Sequence, residues 1–274
     1  MKLRRTGSVL VALAAVSWSF AGVLSKSLPW HSVTRNGMRS LFAALLLMGV
    51  RRTPRVRLTK GTLLGALGVS LTSLLYMLAT QLTTAANAIV LQYAMPVFVI
   101  ALCWAFYGQR PRRSDVVVAG FILLGVLLCS WQGLAGGSLL GDMFALLSAV
   151  TFALVFFCAR MPGANPRDYT YLGMVFGALC ALYAFFDPNM TLAPAHWLIA
   201  LAMGVCLAAG YALMSLAMDT VSPFSAAILS NIEPILSPVW VFLFLGEAPG
   251  ALTLVGAGIV LVTATLYSLR GKRG

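Results

Sequence analysis

Glu233 is the residue with the clearest potential for chemistry, because it lies directly before Pro234 inside a long apolar segment. A carboxylate in such a segment is costly to bury and tends to be functional. Two interpretations stay open: the carboxylate binds an ammonium group or a proton, or it caps the helix break that Pro234 makes. A matching stretch earlier in the chain has Met95 at the corresponding position, so the pattern does not require a pair of acids.

Polar and aromatic side chains accompany this acid at the centres of several apolar segments. Together they predict a cavity for an apolar or aromatic solute that carries a polar head group. Any one of them, taken singly, is also compatible with core packing or with an anchor at a lipid interface. The predicted lining consists of Trp18, Tyr76, Gln92, Tyr93, Tyr211 and Asn231.

No enzyme signature is present in the sequence. The chain lacks a G-x-x-x-x-G-K-[ST] phosphate loop, an H-E-x-x-H zinc motif and a G-x-S-x-G elbow. The two histidines, His31 and His196, are far apart, and the five cysteines show no metal-like spacing. We therefore expect no catalytic activity, no cofactor and no metal site.

The composition predicts an integral membrane protein. Of the 274 residues, 60% are hydrophobic and only 9% are charged, and the mean hydropathy is +0.92, whereas about a quarter of a soluble domain is charged. Apolar segments of about 20 residues predict helices and not a β-barrel. The net charge of +12 is assigned to short loops beside the lipid bilayer, and no nucleic-acid partner is expected.

Ten apolar segments predict an all-α polytopic fold with ten transmembrane helices. Their connectors are short, as in a compact bundle, and leave no room for a soluble domain. The predicted spans are 8–28, 32–50, 61–81, 85–107, 114–132, 138–160, 169–187, 195–217, 223–245 and 249–269.

The distribution of basic residues predicts that both termini are cytoplasmic. Sixteen of the nineteen basic residues fall on the inner side: Lys2, Arg4, Arg5, Arg51, Arg52, Arg55, Arg57, Lys60, Arg110, Arg112, Arg113, Arg160, Arg167, Arg270, Lys272 and Arg273. The other three, Lys26, Arg35 and Arg39, lie in the outer parts of the first two spans. There Lys26 either attracts a carboxylate or extends its amine to the interface.

A duplicated proline motif divides the chain into two repeats. Pro96 and Pro234 are 138 residues apart, and so are Gly108 and Gly246, which indicates an internal duplication. Each proline removes a backbone donor and interrupts its helix, so the two breaks are predicted hinges, or else kinks that serve packing alone.

The repeats are expected to be inverted. The first covers residues 1–133 and the second 138–274, on either side of a glycine-rich link, with five helices in each. Because five is odd, the second repeat crosses the membrane in the opposite direction, an arrangement characteristic of secondary transporters. At an offset of 134 residues, Trp18 aligns with Phe152.

The motifs together resemble the drug/metabolite transporter superfamily, specifically its ten-helix branch with two EamA-type repeats. The matching residues are Trp18 with Lys26, the steps Met95-Pro96 and Glu233-Pro234, and the helix ends Gly108-Gln109-Arg110-Pro111 and Gly246-Glu247-Ala248-Pro249. Within the family the chain looks most like bacterial aromatic amino acid exporters. The resemblance implies export of small metabolites, amino acids above all, across the inner membrane through a cavity between the repeats.

Other functions stay open at this point. A cationic-drug carrier needs a mid-membrane acid, and only Glu233 qualifies. A nucleotide-sugar carrier needs basic residues in the cavity, where only Lys26, Arg35 and Arg39 are available. A membrane sensor without transport is a further alternative, although no soluble output domain is present. A monomer and a homodimer are equally compatible with the sequence.

Overall fold

The computed structural model describes residues 2–135, 139–246 and 250–270, and the regular structure within these ranges is helical. The α-helices are α1 (Lys2–Ser19), α2 (Ala21–Lys26), α3 (Ser32–Arg51), α4 (Lys60–Leu82), α5 (Ala85–Gln92), α6 (Met95–Tyr107), α7 (Arg113–Ala135), α8 (Leu139–Cys158), α9 (Pro166–Ala178), α10 (Pro194–Ala217), α11 (Pro223–Leu229), α12 (Glu233–Leu245) and α13 (Ala251–Arg270). Two 3₁₀ segments, Leu179–Phe185 and Ser230–Ile232, follow α9 and α11.

Each predicted span coincides with one helix or with two consecutive ones. Six helical stretches of the described chain are long and apolar enough to cross a membrane, so the protein is a multi-pass membrane protein: Thr6–Lys26, Lys60–Leu82, Asn87–Tyr107, Leu139–Cys158, Pro166–Phe185 and Pro194–Ala217. Two shorter apolar helices, Glu233–Leu245 and Leu254–Thr263, lie in the second half, and the count of ten spans therefore stays a prediction.

The helix packing fits two repeats of opposite orientation. Helix α4 packs on α8 and α1 packs on α10, two contacts that a two-fold axis between the halves would exchange. The first part of one broken helix, α5, contacts the second part of the other, α12, and α6 likewise contacts α11. This crossed contact is the one expected for two antiparallel broken helices.

Both prolines lie at helix breaks, as the sequence predicts. Helix α5 ends at Gln92 and α6 begins at Met95, with Pro96 in its first turn. The 3₁₀ turn Ser230–Ile232 precedes α12, and Pro234 occupies its first turn. Proline is tolerated there because the first amides of a helix have no partner within the helix.

The duplicated motifs also end in the same backbone conformation. Gly108 ends α6 at φ 62° and Gly246 ends α12 at φ 67°. These left-handed angles close a helix and strongly favour glycine. The last three residues of the second motif, 247–249, lie outside the described ranges, as do residues 136–138 of the link between the repeats.

Helix α3 is tied at one end to α9 and at the other end to Asp187, which follows the 3₁₀ segment after α9. At one end Arg51 forms an ion pair with Asp168, with 2.7 Å between Nη2 and Oδ1. At the other end Thr34 Oγ1 and the His31 amide donate to Asp187 Oδ2 at 2.6 and 2.8 Å. Burial alone would raise the pKa of Asp187, but the hydrogen bonds outweigh it and lower the pKa, which keeps this carboxylate charged.

Gly37 allows α3 to contact the backbone of the 3₁₀ segment after α9. A Cβ atom at Gly37 would lie 2.1 Å from the amide nitrogen of Ala181, and backbone cannot rotate away as a side chain can. We expect Gly37→Ala to lower the free energy of unfolding by about 1–3 kcal/mol, the range for overpacked positions. A thermal melt in detergent measures the change.

Gly49, in the same helix, provides the matched control. Nothing lies within 4 Å of a Cβ built there, and alanine favours a helix over glycine by about 1 kcal/mol. Gly49→Ala is therefore expected to keep or raise the melting temperature. Equal melting temperatures for the two variants would contradict the packing described for Gly37.

Candidate functional site

A cavity of about 40 Å³ lies between the two halves of the molecule. At about 10–15 Å³ for each water position, this is room for roughly three water molecules. The second half contributes Phe152, Leu207, Tyr211 and Glu233 to its lining. The first half contributes Trp18, Ala21, Arg39, Thr72, Ser73, Tyr76 and Gln92.

An aromatic wall forms one part of the cavity. The Trp18 ring meets Tyr211 edge-on with 4.9 Å between ring centroids, and meets Phe152 edge-on at 5.7 Å. Edge-to-face pairs of this kind are favourable beyond the area they bury. A Cβ atom at Gly210 would lie 2.2 Å from Trp18 Nε1, so the indole rests directly on the backbone of α10.

Glu233 brings a carboxylate to the cavity at the first residue of α12. Its side chain is buried, and the Tyr93 hydroxyl donates to Oε2 at 2.5 Å. The amino end of a helix is a favourable place for negative charge. Both interpretations of Glu233 therefore keep support, since it begins a helix and also faces the cavity.

Arg39 brings the opposite charge to the same cavity. Its Nη2 donates to the Ser73 carbonyl at 2.9 Å and to Ser73 Oγ at 2.7 Å, and also reaches Asn36 Oδ1 at 3.4 Å. Arg39 is buried, and its Nε is without a hydrogen-bond partner in the described part of the chain. No carboxylate among the described residues lies within ion-pair distance of this guanidinium.

Polar side chains connect the halves along the remaining wall. Gln92 Nε2 donates to Ser148 Oγ at 3.1 Å, and Thr72 Oγ1 donates to Thr151 Oγ1 at 2.9 Å. The Tyr76 hydroxyl lies near Ser237 but makes no hydrogen bond within the described residues. Trp18 Nε1 is likewise buried there without a partner.

Two predicted site residues, Tyr93 and Lys26, do not line the cavity, and the side chain of a third, Asn231, lies outside the described part of the structure. Tyr93 has no accessible surface and lies behind Glu233, so it holds the carboxylate and does not line the cavity. Lys26 is the last residue of α2 and is not among the lining residues. Asn231 belongs to the 3₁₀ turn before α12, but its side chain lies outside the described part of the structure.

The other predicted lining residues do meet at the cavity: Trp18, Tyr76, Gln92, Tyr211 and Glu233. Arg39 was not predicted as a lining residue. Its depth offers a signal, because it lies seven residues into α3, about 10 Å along the helix axis from Ser32. An arginine this far from a helix end has to find its partners within the protein.

Comparisons with known proteins agree with these features. A model of the EamA-like transporter family matches residues 5–131 and again residues 139–269. The chain is 28% identical to the pseudopaline exporter CntI of Pseudomonas aeruginosa over 287 positions, which cover 100% of this chain and 99% of that exporter. It is 27% identical to an uncharacterized transporter of Archaeoglobus fulgidus, with 94% of each chain covered.

A solved crystal structure among those that match this chain shares its fold. It superposes with a TM-score of 0.71 at 18% sequence identity and covers 99% of this chain and 100% of that chain.

Proposed function

Because the chain belongs to the EamA-like transporter family and is a membrane transporter, we propose that it is a secondary transporter that exports amino acids, aromatic ones included. The observation that carries this proposal is the cavity between the halves. It combines one carboxylate and one guanidinium with the aromatic wall of Trp18, Phe152 and Tyr211. These groups complement a small solute with two charged groups and an aromatic side chain.

Export proceeds by alternating access in this proposal. The cavity of about 40 Å³ is far below the roughly 300–1,000 Å³ of ligand pockets, so the site has to expand before a substrate enters. The breaks at Pro96 and Pro234 adjoin the cavity residues Gln92 and Glu233. We propose that they act as hinges while the two inverted repeats move against each other.

The proposed placement is a bacterial inner membrane, with ten spans and both termini in the cytoplasm. Its support is the distribution of lysine and arginine, which are concentrated in the segments assigned to the inner side. An export direction then carries substrate from the side with most basic residues to the other side.

A second candidate comes from the relatives. The pseudopaline exporter of Pseudomonas aeruginosa is named for export of pseudopaline and aligns over the whole of this chain. A substrate other than a simple amino acid is therefore the alternative. A cationic drug is a weaker one, because Arg39 in the cavity lining opposes a lone cation.

Counterflow in proteoliposomes tests the amino acid proposal. Vesicles containing the purified protein are loaded with unlabelled phenylalanine, and entry of labelled phenylalanine is followed with and without a pH gradient. We expect transient accumulation, because a carrier with one central site exchanges substrate faster than it equilibrates the net concentration. The response to the gradient shows whether protons bias transport.

Protein-free vesicles and a panel of all common amino acids serve as controls. If folded protein exchanges none of them, the amino acid proposal is wrong. Uptake of a cationic dye or of a larger carboxylated compound by the same vesicles would then identify the alternative substrate class.

A further inference from the structure

Arg39 and Glu233 face one cavity but do not pair with each other. Both side chains are almost completely buried, at 3% and 5% exposed, and both line the cavity. No ion pair joins them among the described residues. Since buried charges are costly unless paired, each of them leaves an interaction to be completed.

Arg39 retains donors for an anion. A guanidinium has five N–H groups in a planar fork. The hydrogen bonds of Arg39 to described residues all leave from Nη2, whereas Nε is buried without a partner. Nε and Nη1 therefore keep N–H groups for single, charge-assisted hydrogen bonds to a carboxylate. Ser73 fixes the guanidinium at the cavity wall through its carbonyl and hydroxyl groups.

Glu233 retains acceptors for a cation. Its hydrogen bond from Tyr93 occupies Oε2, and an ionised carboxylate offers about four lone-pair positions on two oxygens. An ammonium group brings three donors and no acceptor, which suits this remaining capacity. Tyr93 is itself fully buried, so it holds the carboxylate in one orientation towards the cavity.

We propose that Arg39 binds the carboxylate and Glu233 binds the ammonium group of a zwitterionic α-amino acid, an assignment that rests on the proposed function. The aromatic wall around Trp18 then receives the side chain of the substrate. A zwitterion completes both buried charges at once, whereas a simple amine or a simple acid leaves one of them unpaired. An analogue that leaves a buried polar group of the site unpaired binds much more weakly than the substrate.

Competition by two analogues of phenylalanine tests the assignment in the unmodified protein. Phenethylamine lacks the carboxylate, and 3-phenylpropionate lacks the ammonium group. We expect each to inhibit phenylalanine counterflow at least ~100-fold less potently than unlabelled phenylalanine does. Inhibition by either analogue at the potency of phenylalanine would overturn the assignment.

Variants of Arg39 locate the discrimination at this residue. In Arg39→Gln, the preference for phenylalanine over phenethylamine is expected to fall at least ~10-fold, because the charge that recognises the carboxylate is gone. The preference over 3-phenylpropionate is expected to be kept. Arg39→Lys retains the charge but replaces the planar guanidinium with an ammonium group, and should give an intermediate preference.

Arg113→Gln is the control, because it removes a charge from an exposed position at the start of α7. If Arg39→Gln does not fold, the analogue competition in the unmodified protein still decides the matter. If Arg39→Gln exchanges phenylalanine and still prefers it to phenethylamine as strongly as the unmodified protein does, Arg39 does not bind the carboxylate, although the proposed function stands. Absence of any amino acid exchange in the unmodified protein contradicts the proposed function as well.

Discussion

Replacement of Gly210 by valine is expected to reduce amino acid transport at least ~10-fold while the protein still folds. Even the Cβ atom would lie 2.2, 2.4 and 2.7 Å from Nε1, Cδ1 and Cε2 of Trp18, so the indole has to leave its position on α10. Overpacking of this kind costs about 1–3 kcal/mol, and the displaced ring enters a cavity of only about 40 Å³. Initial rates of counterflow measure the loss.

Smaller and remote substitutions separate this effect from simple destabilisation. Gly210→Ala is expected to give an intermediate rate, since it adds one methyl group at the same place. Gly120→Val lies on the exposed part of α7, where nothing stands within 4 Å of a Cβ atom, and should transport as the unmodified protein does. A Gly210→Val protein with an unchanged rate would show that Trp18 is not held as described.

The second large effect is expected for Glu233→Gln, which removes the charge and keeps the shape. If Glu233 binds the ammonium group of the substrate, losing this charge costs about 2 kcal/mol or more, which corresponds to a decrease in transport rate of roughly 30-fold or more. Tyr93→Phe removes only the hydrogen bond to Oε2 of Glu233. We expect it to lower the transport rate about tenfold, because a hydrogen bond to a charged group contributes about 1.5 kcal/mol. Counterflow rates at equal protein content measure both.

Asp219→Asn is the matched control for loss of an acid. Asp219 pairs with Arg167 at 2.8 Å, but both side chains are more than half exposed, and exposed pairs contribute little. Its transport rate should equal that of the unmodified protein. If Glu233→Gln also transports normally, Glu233 is a structural cap of α12 and not part of the site.

The local structure at the two duplicated motifs could be predicted from the sequence. Proline and glycine act through their own backbone restrictions, so the breaks at Pro96 and Pro234 and the helix ends at Gly108 and Gly246 follow from residue type alone. The contact of Trp18 with Phe152 agrees with their equivalent positions in the repeats. A further break at Phe20, between α1 and α2, has no proline or glycine at that position to predict it.

The direction of each side chain could not be predicted to the same degree. Gln92 and Tyr93 are neighbours, and successive residues of a helix point about 100° apart, so one of them lines the cavity while the other lies behind Glu233. Which one does so depends on the rotation of α5, which is set by its packing on α8 and α12. The depth of Arg39 depends in the same way on the contact of α3 with Ser73 of α4.

Equilibrium binding of labelled phenylalanine to the purified protein tests most directly whether this cavity is the amino acid site. A scintillation proximity assay in detergent compares the unmodified protein with Gly210→Val and Gly120→Val. We predict saturable binding with one site per chain in the unmodified protein and in Gly120→Val, and binding weakened at least ~10-fold in Gly210→Val. Equal affinity in all three proteins would place the substrate elsewhere and contradict the account.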